Sequence, residues 1–276
     1  MAVANQKGGV AKTTTVHSLG YALVELGRRV LLVDLDPQAC LTYSVGIDPD
    51  TLEVSLYDVL VRRTAPLEAL RPVGAVPGLA ILPATVDLAA AEIHLLTRPG
   101  REHALAHALS KVIDGYDYVL IDCPPSLGVL TINALTAAQE VLVPFQCETL
   151  SVRGVHQLLE MIEDVRVFTN AGLAVRGGIA TMFDRHTCHS RSMLERVTSE
   201  YGLFVLSPPV RKSVRFAEAP QRSRCIVEHA PRSPGAEAYR SLALQLDTAI
   251  SAGGAVIPLP EGAVAALDPP EATLAL

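Results

Sequence analysis

The sequence has no closely spaced cysteine pair and no long apolar run. Its five cysteines are an odd number in 276 residues, and none belongs to a C-x-x-C pair. They are too few and too scattered for the disulfide framework of a secreted domain, so we expect reduced thiols. No stretch of about 18 apolar residues is present, so we expect no transmembrane helix. A cytoplasmic globular protein is the class that these absences leave.

Positive charge is also scarce. The 23 lysines and arginines face 29 acidic residues, which gives a net charge of -6. This balance excludes a generally basic protein that coats DNA, but it leaves room for a local basic patch. A hydrophobic content of 49% can bury the core of one large α/β domain. We expect that domain over residues 1–250, followed by a disordered Ala-, Gly- and Pro-rich tail over 251–276.

A glycine turn stands near the start of the chain. It lies between a short strand predicted over residues 1–5 and a helix predicted over 13–26. Such a turn directs backbone N–H groups to the start of the helix, where the macrodipole also favours anions. Lys12 adds a positive charge for the β- and γ-phosphates, and the Thr13 hydroxyl is placed to bind Mg²⁺. The alternative is a glycine turn with two solvated lysines.

The turn departs from the common phosphate-loop pattern G-x-x-x-x-G-K-S/T, because Gln6 and Ala11 occupy its glycine positions. Residues 7–13 match the deviant pattern K-G-G-x-x-K-S/T in full. This stretch resembles the deviant Walker ATPases of the ParA/MinD family. The resemblance implies that Lys7 reaches the nucleotide of a partner subunit, and that Lys7 and Lys12 serve catalysis. The expected ATP contacts are Lys7, Gly8, Gly9, Val10, Ala11, Lys12, Thr13 and Thr14.

Ala11 stands where the family usually has glycine. A methyl group is harmless there only if φ stays negative and no phosphate oxygen needs the space. We therefore expect a nucleotide affinity below that typical of the family.

Two carboxylates follow a predicted buried strand over residues 30–34. Asp36 leaves that strand at its carboxyl end, where open α/β sheets place their ligands. A carboxylate there can orient an attacking water or hold metal-bound water near the γ-phosphate. The D-x-D-P-Q pattern resembles the second motif of the family, which implies that Asp36 is the catalytic carboxylate. Asp34 is a second catalytic candidate, or else a capping or structural carboxylate.

A second apolar strand, predicted over residues 116–122, ends in Asp122. An aspartate at this position, after a phosphate loop, is the Walker B pattern that holds the hydration shell of Mg²⁺. We therefore expect Thr13, Asp36 and Asp122 around Mg²⁺, with both carboxylates acting through water. The D-x-P-P-S continuation resembles a segment that senses the γ-phosphate in ParA-type proteins. Cys123 is expected to be a small buried residue.

The remaining apolar runs alternate with helical patterns, which predicts a doubly wound, mostly parallel sheet with helices on both faces, the P-loop NTPase fold. Right-handed crossovers then place the phosphate loop, Asp36 and Asp122 at one edge of the sheet. Further strands are predicted over 79–82, 140–144 and 179–182, and further helices over 56–62, 88–96, 102–113, 155–168, 192–201 and 235–243. His94, His103 and His107 are expected to be solvated helical residues without a metal role.

A local excess of positive charge lies between residues 211 and 232. Its six cations face only Glu218 and Glu228, and they are Arg211, Lys212, Arg215, Arg222, Arg224 and Arg232. Such a patch can contact DNA phosphates without sequence preference and with a strong salt dependence. Residues 207–220 resemble the family stretch P-R-x-V-R-x-x-E-A-P, although Val210 replaces a proline. The resemblance implies DNA contacts by Arg211, Lys212 and Arg215, with Arg185 as a further candidate. A solvated loop with one arginine near the nucleotide is the alternative.

Taken together, the resemblance implies a slow ATP hydrolase that needs Mg²⁺. ATP would assemble a sandwich homodimer that binds double-stranded DNA on the nucleoid. A ParB-type partner would stimulate hydrolysis and so drive chromosome or plasmid segregation. The tail has no Lys or Arg, so it offers no basic helix for a membrane. The cysteines also lack the paired placement of a nitrogenase iron protein. A second hypothesis is an ATP-switched positioning protein that acts on a protein scaffold or another cargo.

Overall fold

Buried apolar strands assemble into one sheet in the computed structural model, which describes residues 1–184 and 187–251. The strand order is β3-β4-β2-β5-β1-β6-β7-β8, and only β3 is antiparallel to its neighbour. The strands are β1 (Ala2–Val3), β2 (Val30–Asp34), β3 (Arg71–Pro72), β4 (Leu79–Leu82), β5 (Tyr118–Asp122), β6 (Glu140–Gln146), β7 (Ala174–Thr181) and β8 (Val205–Leu206). The carboxyl ends of β1, β2 and β5 therefore lie side by side.

Each face of the sheet is covered by helices. Leu31 and Val33 of β2 belong to one hydrophobic core, whereas the alternate residues Val30 and Leu32 belong to the other. The first core is closed by α4 (Leu88–Leu96), α5 (Ala104–Leu109), α6 (Val129–Ala137), α7 (Thr149–Phe168) and α8 (Cys188–Tyr201). The second is closed by α1 (Lys12–Glu25), α2 (Cys40–Ser44), α10 (Ile226–His229) and α11 (Pro234–Ser251). The predicted doubly wound, mostly parallel fold is confirmed.

Two short helices complete the chain, namely α3 (Pro66–Ala69) and α9 (Arg215–Gln221). Several predicted elements needed adjustment. The predicted helix over 56–62 is a π-helical turn over Asp58–Arg62, and β1 is shorter than the predicted strand. Strands β6 and β7 extend beyond their predicted bounds. Residues 252–276, nearly all of the predicted tail, lie outside the described residues.

The single helix predicted over 102–113 is wrong. A 3-10 turn at Arg101–His103 precedes α5, and another turn at Ile113–Gly115 follows it. The side chain of Asn133 accepts a hydrogen bond from the Leu105 N–H and donates one to the Arg101 carbonyl. These tertiary bonds satisfy backbone groups that a continuous helix would have paired internally. Among the described residues, no helix is long and apolar enough to cross a membrane.

Candidate functional site

The phosphate loop connects β1 to α1 and contains two left-handed residues. Gly9 has φ +73°, and Ala11, the N-cap residue of α1, has φ 67° and ψ 33°. The negative φ that would make a methyl group harmless at position 11 is therefore absent. A left-handed L-residue costs about 1–2 kcal/mol, which the surrounding structure must offset. Ala11 is a strained residue at the start of the helix that would face the phosphates.

Side chains at the ends of β6 and β7 hold the loop backbone. The Gln146 amide donates a hydrogen bond of 2.8 Å to the Gly9 carbonyl. The Thr181 hydroxyl donates one of 3.0 Å to the Val10 carbonyl. Both carbonyls are thus paired with side chains from the sheet, and the loop N–H groups at the start of α1 can serve an anion. Sequence reasoning missed both residues, because no local motif marks them.

The entrance to the loop is fixed by Asn5. Its side chain donates to the Pro144 carbonyl at 2.7 Å and accepts from the Lys7 N–H at 3.0 Å. Gly154 of α7 packs against this turn, where an added Cβ would lie 3.0 Å from the Asn5 side-chain oxygen. Gly154 therefore permits the close approach of α7 to the loop.

Lys12 is buried at the first position of α1, with 7% of its surface exposed. Its ammonium group donates a hydrogen bond of 3.1 Å to the Lys7 carbonyl. Burial lowers the pKa of Lys12, and the nearby Asp122 carboxylate partly offsets this effect. The ammonium is thus held within the loop at the place predicted for phosphate binding.

Asp122 ends β5 as a fully buried carboxyl group. Neither of its oxygens makes a well-formed hydrogen bond among the described residues, and the Thr13 side chain approaches it only as a weak donor. Burial raises its pKa well above the ordinary range, and Asp34 raises it further, whereas the Thr13 side chain and the Lys12 ammonium lower it. A buried carboxylate that is so weakly hydrogen-bonded needs a cation close by when it is ionised. Asp122 and the Thr13 hydroxyl fit a hydrated Mg²⁺, whose preferred ligands are oxygens.

The two aspartates after β2 have different surroundings. Asp34 is buried and accepts hydrogen bonds from the N–H and the hydroxyl of Thr42, at 2.8 and 2.7 Å. Burial raises the pKa of Asp34 to about 6. Asp36 is half-buried and lines the cleft, with one oxygen accepting from the Gln38 N–H at 2.9 Å. The geometry favours a structural role for Asp34 and leaves Asp36 as the carboxylate that a ligand can reach.

Lys7 lies at the mouth of the loop. Its ammonium group is 3.0 Å from a carboxylate oxygen of Glu148 and 3.5 Å from the side-chain oxygen of Gln146. Glu148 is 64% exposed at the side chain, so this ion pair faces solvent. Within this chain the Lys7 ammonium contacts Glu148, and the predicted contact to a second subunit stays a prediction.

A cleft of about 770 Å³ runs beside the loop. Gly8, Gly9 and residues 11–14 of the loop line it together with Asp36, whereas the Val10 side chain is buried away from it. Phe216, Pro220 and Arg224 form part of the opposite wall. A volume of this size suits a small-molecule ligand. The cleft therefore joins the phosphate loop to the cationic stretch of the chain.

That stretch, residues 211–232, is called the cationic segment below. All six of its cations are exposed, and none has an acidic side-chain partner among the described residues. Its two acidic residues are engaged elsewhere, since Glu218 pairs with His229 and Glu228 accepts from the Cys225 N–H. The structure thus groups Arg211, Lys212 and Arg215 on an exposed surface. Arg185 lies outside the described residues.

The remaining residues named from the sequence have ordinary surroundings. His94, His103 and His107 are exposed, as predicted. Cys123 is fully buried, and burial raises the pKa of its thiol, so it is not a nucleophile at neutral pH.

Known proteins share this arrangement. Residues 1–175 match the AAA domain family. The sporulation initiation inhibitor protein Soj of Bacillus subtilis is 42% identical over 246 residues, which cover 89% of this chain and 97% of Soj. The chromosome partitioning protein ParA of Caulobacter vibrioides is 41% identical over 248 residues, which cover 89% of this chain and 92% of ParA.

A solved structure from Mycobacterium smegmatis, named cobyrinic acid a,c-diamide synthase, is 50% identical with a TM-score of 0.82. The match covers 94% of this chain and 97% of that chain, which was solved with ADP and magnesium and also with an ATP analogue and magnesium. The deviant phosphate loop, the carboxylates at the ends of β2 and β5 and these relatives lead to one conclusion: the chain belongs to the ParA/MinD family of ATPases.

Proposed function

We propose that the protein is a partitioning ATPase whose ATP-bound dimer binds DNA without sequence preference on the nucleoid. The observation that carries the proposal is that the phosphate loop and the cationic segment line one cleft. Phe216, Pro220 and Arg224 of the cationic segment face the same cavity as the phosphate loop. A nucleotide in this cavity contacts both elements, so its occupancy can set the position of the exposed cations. A ligand with different affinities for two arrangements shifts the balance between them.

ATP is the nucleotide and Mg²⁺ the metal of this ATPase. In the proposed roles, the loop N–H groups and Lys12 bind the phosphates, while Thr13 and Asp122 hold the hydrated ion. Mg²⁺ neutralises charge that develops on the transferred phosphoryl group. Asp36 orients the attacking water, since it is the carboxylate that faces the cleft. Asp34 stabilises the turn after β2 through Thr42.

Lys7 supplies the proposed link between subunits. Its ammonium group is only part-buried and is held by an exposed partner, Glu148, so it can leave that pair at small energetic cost. In the dimer, it would neutralise the triphosphate of the other subunit. The arginines of two cationic segments would then face one duplex together. Hydrolysis, stimulated by a ParB-type partner, would separate the subunits and release the DNA.

Nonspecific duplex DNA tests the central claim. We expect binding with ATP or a nonhydrolysable analogue, and at least tenfold weaker binding with ADP or without nucleotide. Phosphate contacts release counterions, so affinity falls steeply between low and moderate salt. Size-exclusion chromatography of the same samples should give a dimer only with the triphosphate. Equal DNA affinity in all nucleotide states would exclude the partition function.

Arg215→Glu tests the surface that is proposed to contact DNA. Reversing one exposed charge should weaken DNA binding about tenfold. The slope of log K against log salt concentration should become shallower by about 0.9, the value for one lost phosphate contact. The ATP-dependent dimer should persist. Lys111→Glu is the matched control, because Lys111 is an exposed lysine outside the cationic segment. Loss of dimerisation in Arg215→Glu would place this residue in the subunit interface instead.

The second hypothesis, an ATP-switched protein that acts on a protein scaffold or another cargo, has one observation in its favour. Val214 is 76% exposed near the start of the cationic segment, between Lys212 and Arg215, where a protein partner could cover it. If ATP produces the dimer but DNA binding is absent at low salt, this hypothesis replaces the first. Val214→Ser would then weaken capture of the partner, whereas DNA contacts alone would tolerate that change.

A further inference from the structure

Three metal-ligand side chains converge beside the cleft, apart from the residues proposed for Mg²⁺. They are His17 of α1 and two residues at the start of α10, Cys225 and Glu228. One ligand atom from each lies within 4.8 Å of the other two. His17 and Cys225 are almost fully buried, at 4% and 3% exposure, and Glu228 is half-buried. A nitrogen, a sulfur and an oxygen donor thus meet where two helices pack.

The hydrogen bonds around His17 leave one ring nitrogen for a ligand. The Ser44 hydroxyl donates its only proton to the Leu41 carbonyl, at 2.9 Å. With that proton used, we assign the 3.1 Å contact between Ser44 and His17 as a bond from Nδ1–H to the hydroxyl oxygen. Nε2 then carries a lone pair, and no hydrogen-bond partner for it occurs among the described residues. A histidine held by a second hydrogen bond in this way is the usual arrangement of a metal ligand.

The other two donors are held by the local backbone. Cys225 is the N-cap residue of α10 and Glu228 its third helical residue, and together they form a capping box. One Glu228 oxygen accepts from the Cys225 N–H at 3.4 Å, so the carboxylate stays beside the thiol. Burial lowers the pKa of His17 to about 4, so its imidazole is neutral near pH 7. Burial also raises the pKa of the Cys225 thiol to about 12, so this thiol keeps its proton until a cation binds.

We propose that His17, Cys225 and Glu228 bind Zn²⁺. A mixed set of imidazole, thiolate and carboxylate suits Zn²⁺, whereas Mg²⁺ requires oxygen ligands. Tetrahedral Zn²⁺ places its ligands about 3.3–3.8 Å apart, so the half-buried Glu228 side chain must close by about 1 Å. Binding deprotonates the Cys225 thiol and releases one proton to solvent, and no other bond changes. His17 and Cys225 line the cleft, so the ion can enter from solvent through it. A water molecule from the cleft would then be the fourth ligand.

An ion bound at this site would link the helix that follows the phosphate loop to the cationic segment. His17 belongs to the helix that begins at the phosphate loop, and Cys225 and Glu228 belong to the cationic segment. A bound ion would therefore fix the position of the segment relative to the loop. This inference does not rest on DNA binding, so the site can be tested separately from the proposed function.

Cobalt provides the direct test, since Co²⁺ replaces Zn²⁺ and reports thiolate ligands by a charge-transfer band in the near ultraviolet. The metal-free full chain should bind one equivalent of Co²⁺ with that band and with the strong visible absorption of tetrahedral cobalt. Zn²⁺ should displace it, and excess Mg²⁺ should not. Cys225→Ser should lose the band, and His17→Gln should weaken binding at least 100-fold. Ser44→Ala should weaken it about tenfold through the lost hydrogen bond to His17.

Cys40→Ser is the matched control, because Cys40 also lines the cleft but is exposed and outside the cluster. It should keep the wild-type band. A wild-type chain without the thiolate band at stoichiometric cobalt, or Cys225→Ser with unchanged affinity, overturns the proposal. A measurement without variants guards against misfolding: Zn²⁺ should raise the unfolding midpoint of the wild-type chain by a few degrees in the presence of Mg²⁺. No rise at saturating Zn²⁺ also overturns the proposal.

Discussion

The phosphate-loop edge and the cationic segment carry charge in opposite ways. At the loop edge, Lys12, Asp34 and Asp122 are buried, and each changes the pKa of a neighbour. In the cationic segment, six cations are exposed without an acidic side-chain partner among the described residues. Buried charges need exact partners because desolvation is costly, so they suit a ligand of fixed geometry. Exposed cations tolerate many positions, which suits a long polyanion.

Lys12→Ala should have the largest effect, because it removes a buried charge of the phosphate-loop edge. Removing a buried ammonium takes the loop cation away from the phosphates and the compensating charge away from Asp122, so ATP affinity should fall at least 100-fold. Titration calorimetry with Mg²⁺ measures the change, and Lys111→Ala is the control for an exposed lysine. Affinity within threefold of wild type would mean that the Lys12 ammonium does not contact the phosphates.

Asp36→Ala separates binding from chemistry within the loop edge. ATP affinity should stay within threefold, while hydrolysis should fall at least 100-fold, because general-base or water-positioning groups contribute about 10²–10⁴. Single-turnover hydrolysis and nucleotide binding are measured on the same sample. Asp34→Asn is the comparison: it should lower the unfolding midpoint through its bonds to Thr42 and keep hydrolysis. Normal turnover in Asp36→Ala would show that another group orients the attacking water.

Asp122→Asn should stabilise the chain in the absence of Mg²⁺ and nucleotide. The folded-state pKa of Asp122 is raised, so its ionised form costs stability above the ordinary value of about 3.9. That cost grows as pH rises, and the advantage of the variant should therefore be several degrees at pH 8 and small at pH 4. The exposed Asp114→Asn is the control. Mg²⁺ with ATP should reverse the order, since only the wild-type carboxylate holds the ion.

The smallest effect is expected from Ala11→Gly. Glycine removes the left-handed strain, but it also makes the unfolded chain more flexible, so the net gain should be about 0.5–1 kcal/mol. ATP affinity should rise a few-fold as the loop relaxes. Urea unfolding measures the first change. Gly9→Ala should act in the opposite direction because of its φ of +73°, whereas Gly8→Ala should be nearly neutral in the free protein. Lower stability in Ala11→Gly would contradict the assigned strain.

The sequence predicted those features that residues close in the chain determine. Strands β2 and β4 and helix α4 have the predicted bounds, because each is a short apolar or helical run between clear breaks. The loop, Asp36 and Asp122 meet at one edge, as parallel strands require. The spacing of these residues predicts a nucleotide site. The more specific function came from the resemblance of three motifs to a known family.

The rest depended on neighbours that are distant in the chain. Gln146 and Thr181 reach the loop only because β6 lies beside β1 and β7 beside β6. Helix α6 went unpredicted because it is apolar on most of its surface and buried, so it shows little amphipathic period. The left-handed φ of Ala11 arises from the turn itself; the family's glycine at this position marks it, but the alanine in this sequence does not reveal the sign of φ. His17 lies 208 or more positions from Cys225 and Glu228 in the chain, and the three meet through the packing of α1 and α10.

The ion pair between Lys7 and Glu148 gives the proposed switch a threshold. While Glu148 holds the ammonium, a second subunit competes with an anion that is always present at 3.0 Å, whatever the protein concentration. The triphosphate of the second subunit must attract the Lys7 ammonium more strongly than Glu148 does before the two chains join. A diphosphate carries less negative charge and therefore attracts it less. The Glu148 carboxylate of each molecule thereby sets the negative charge that a bound nucleotide must exceed for the dimer to form.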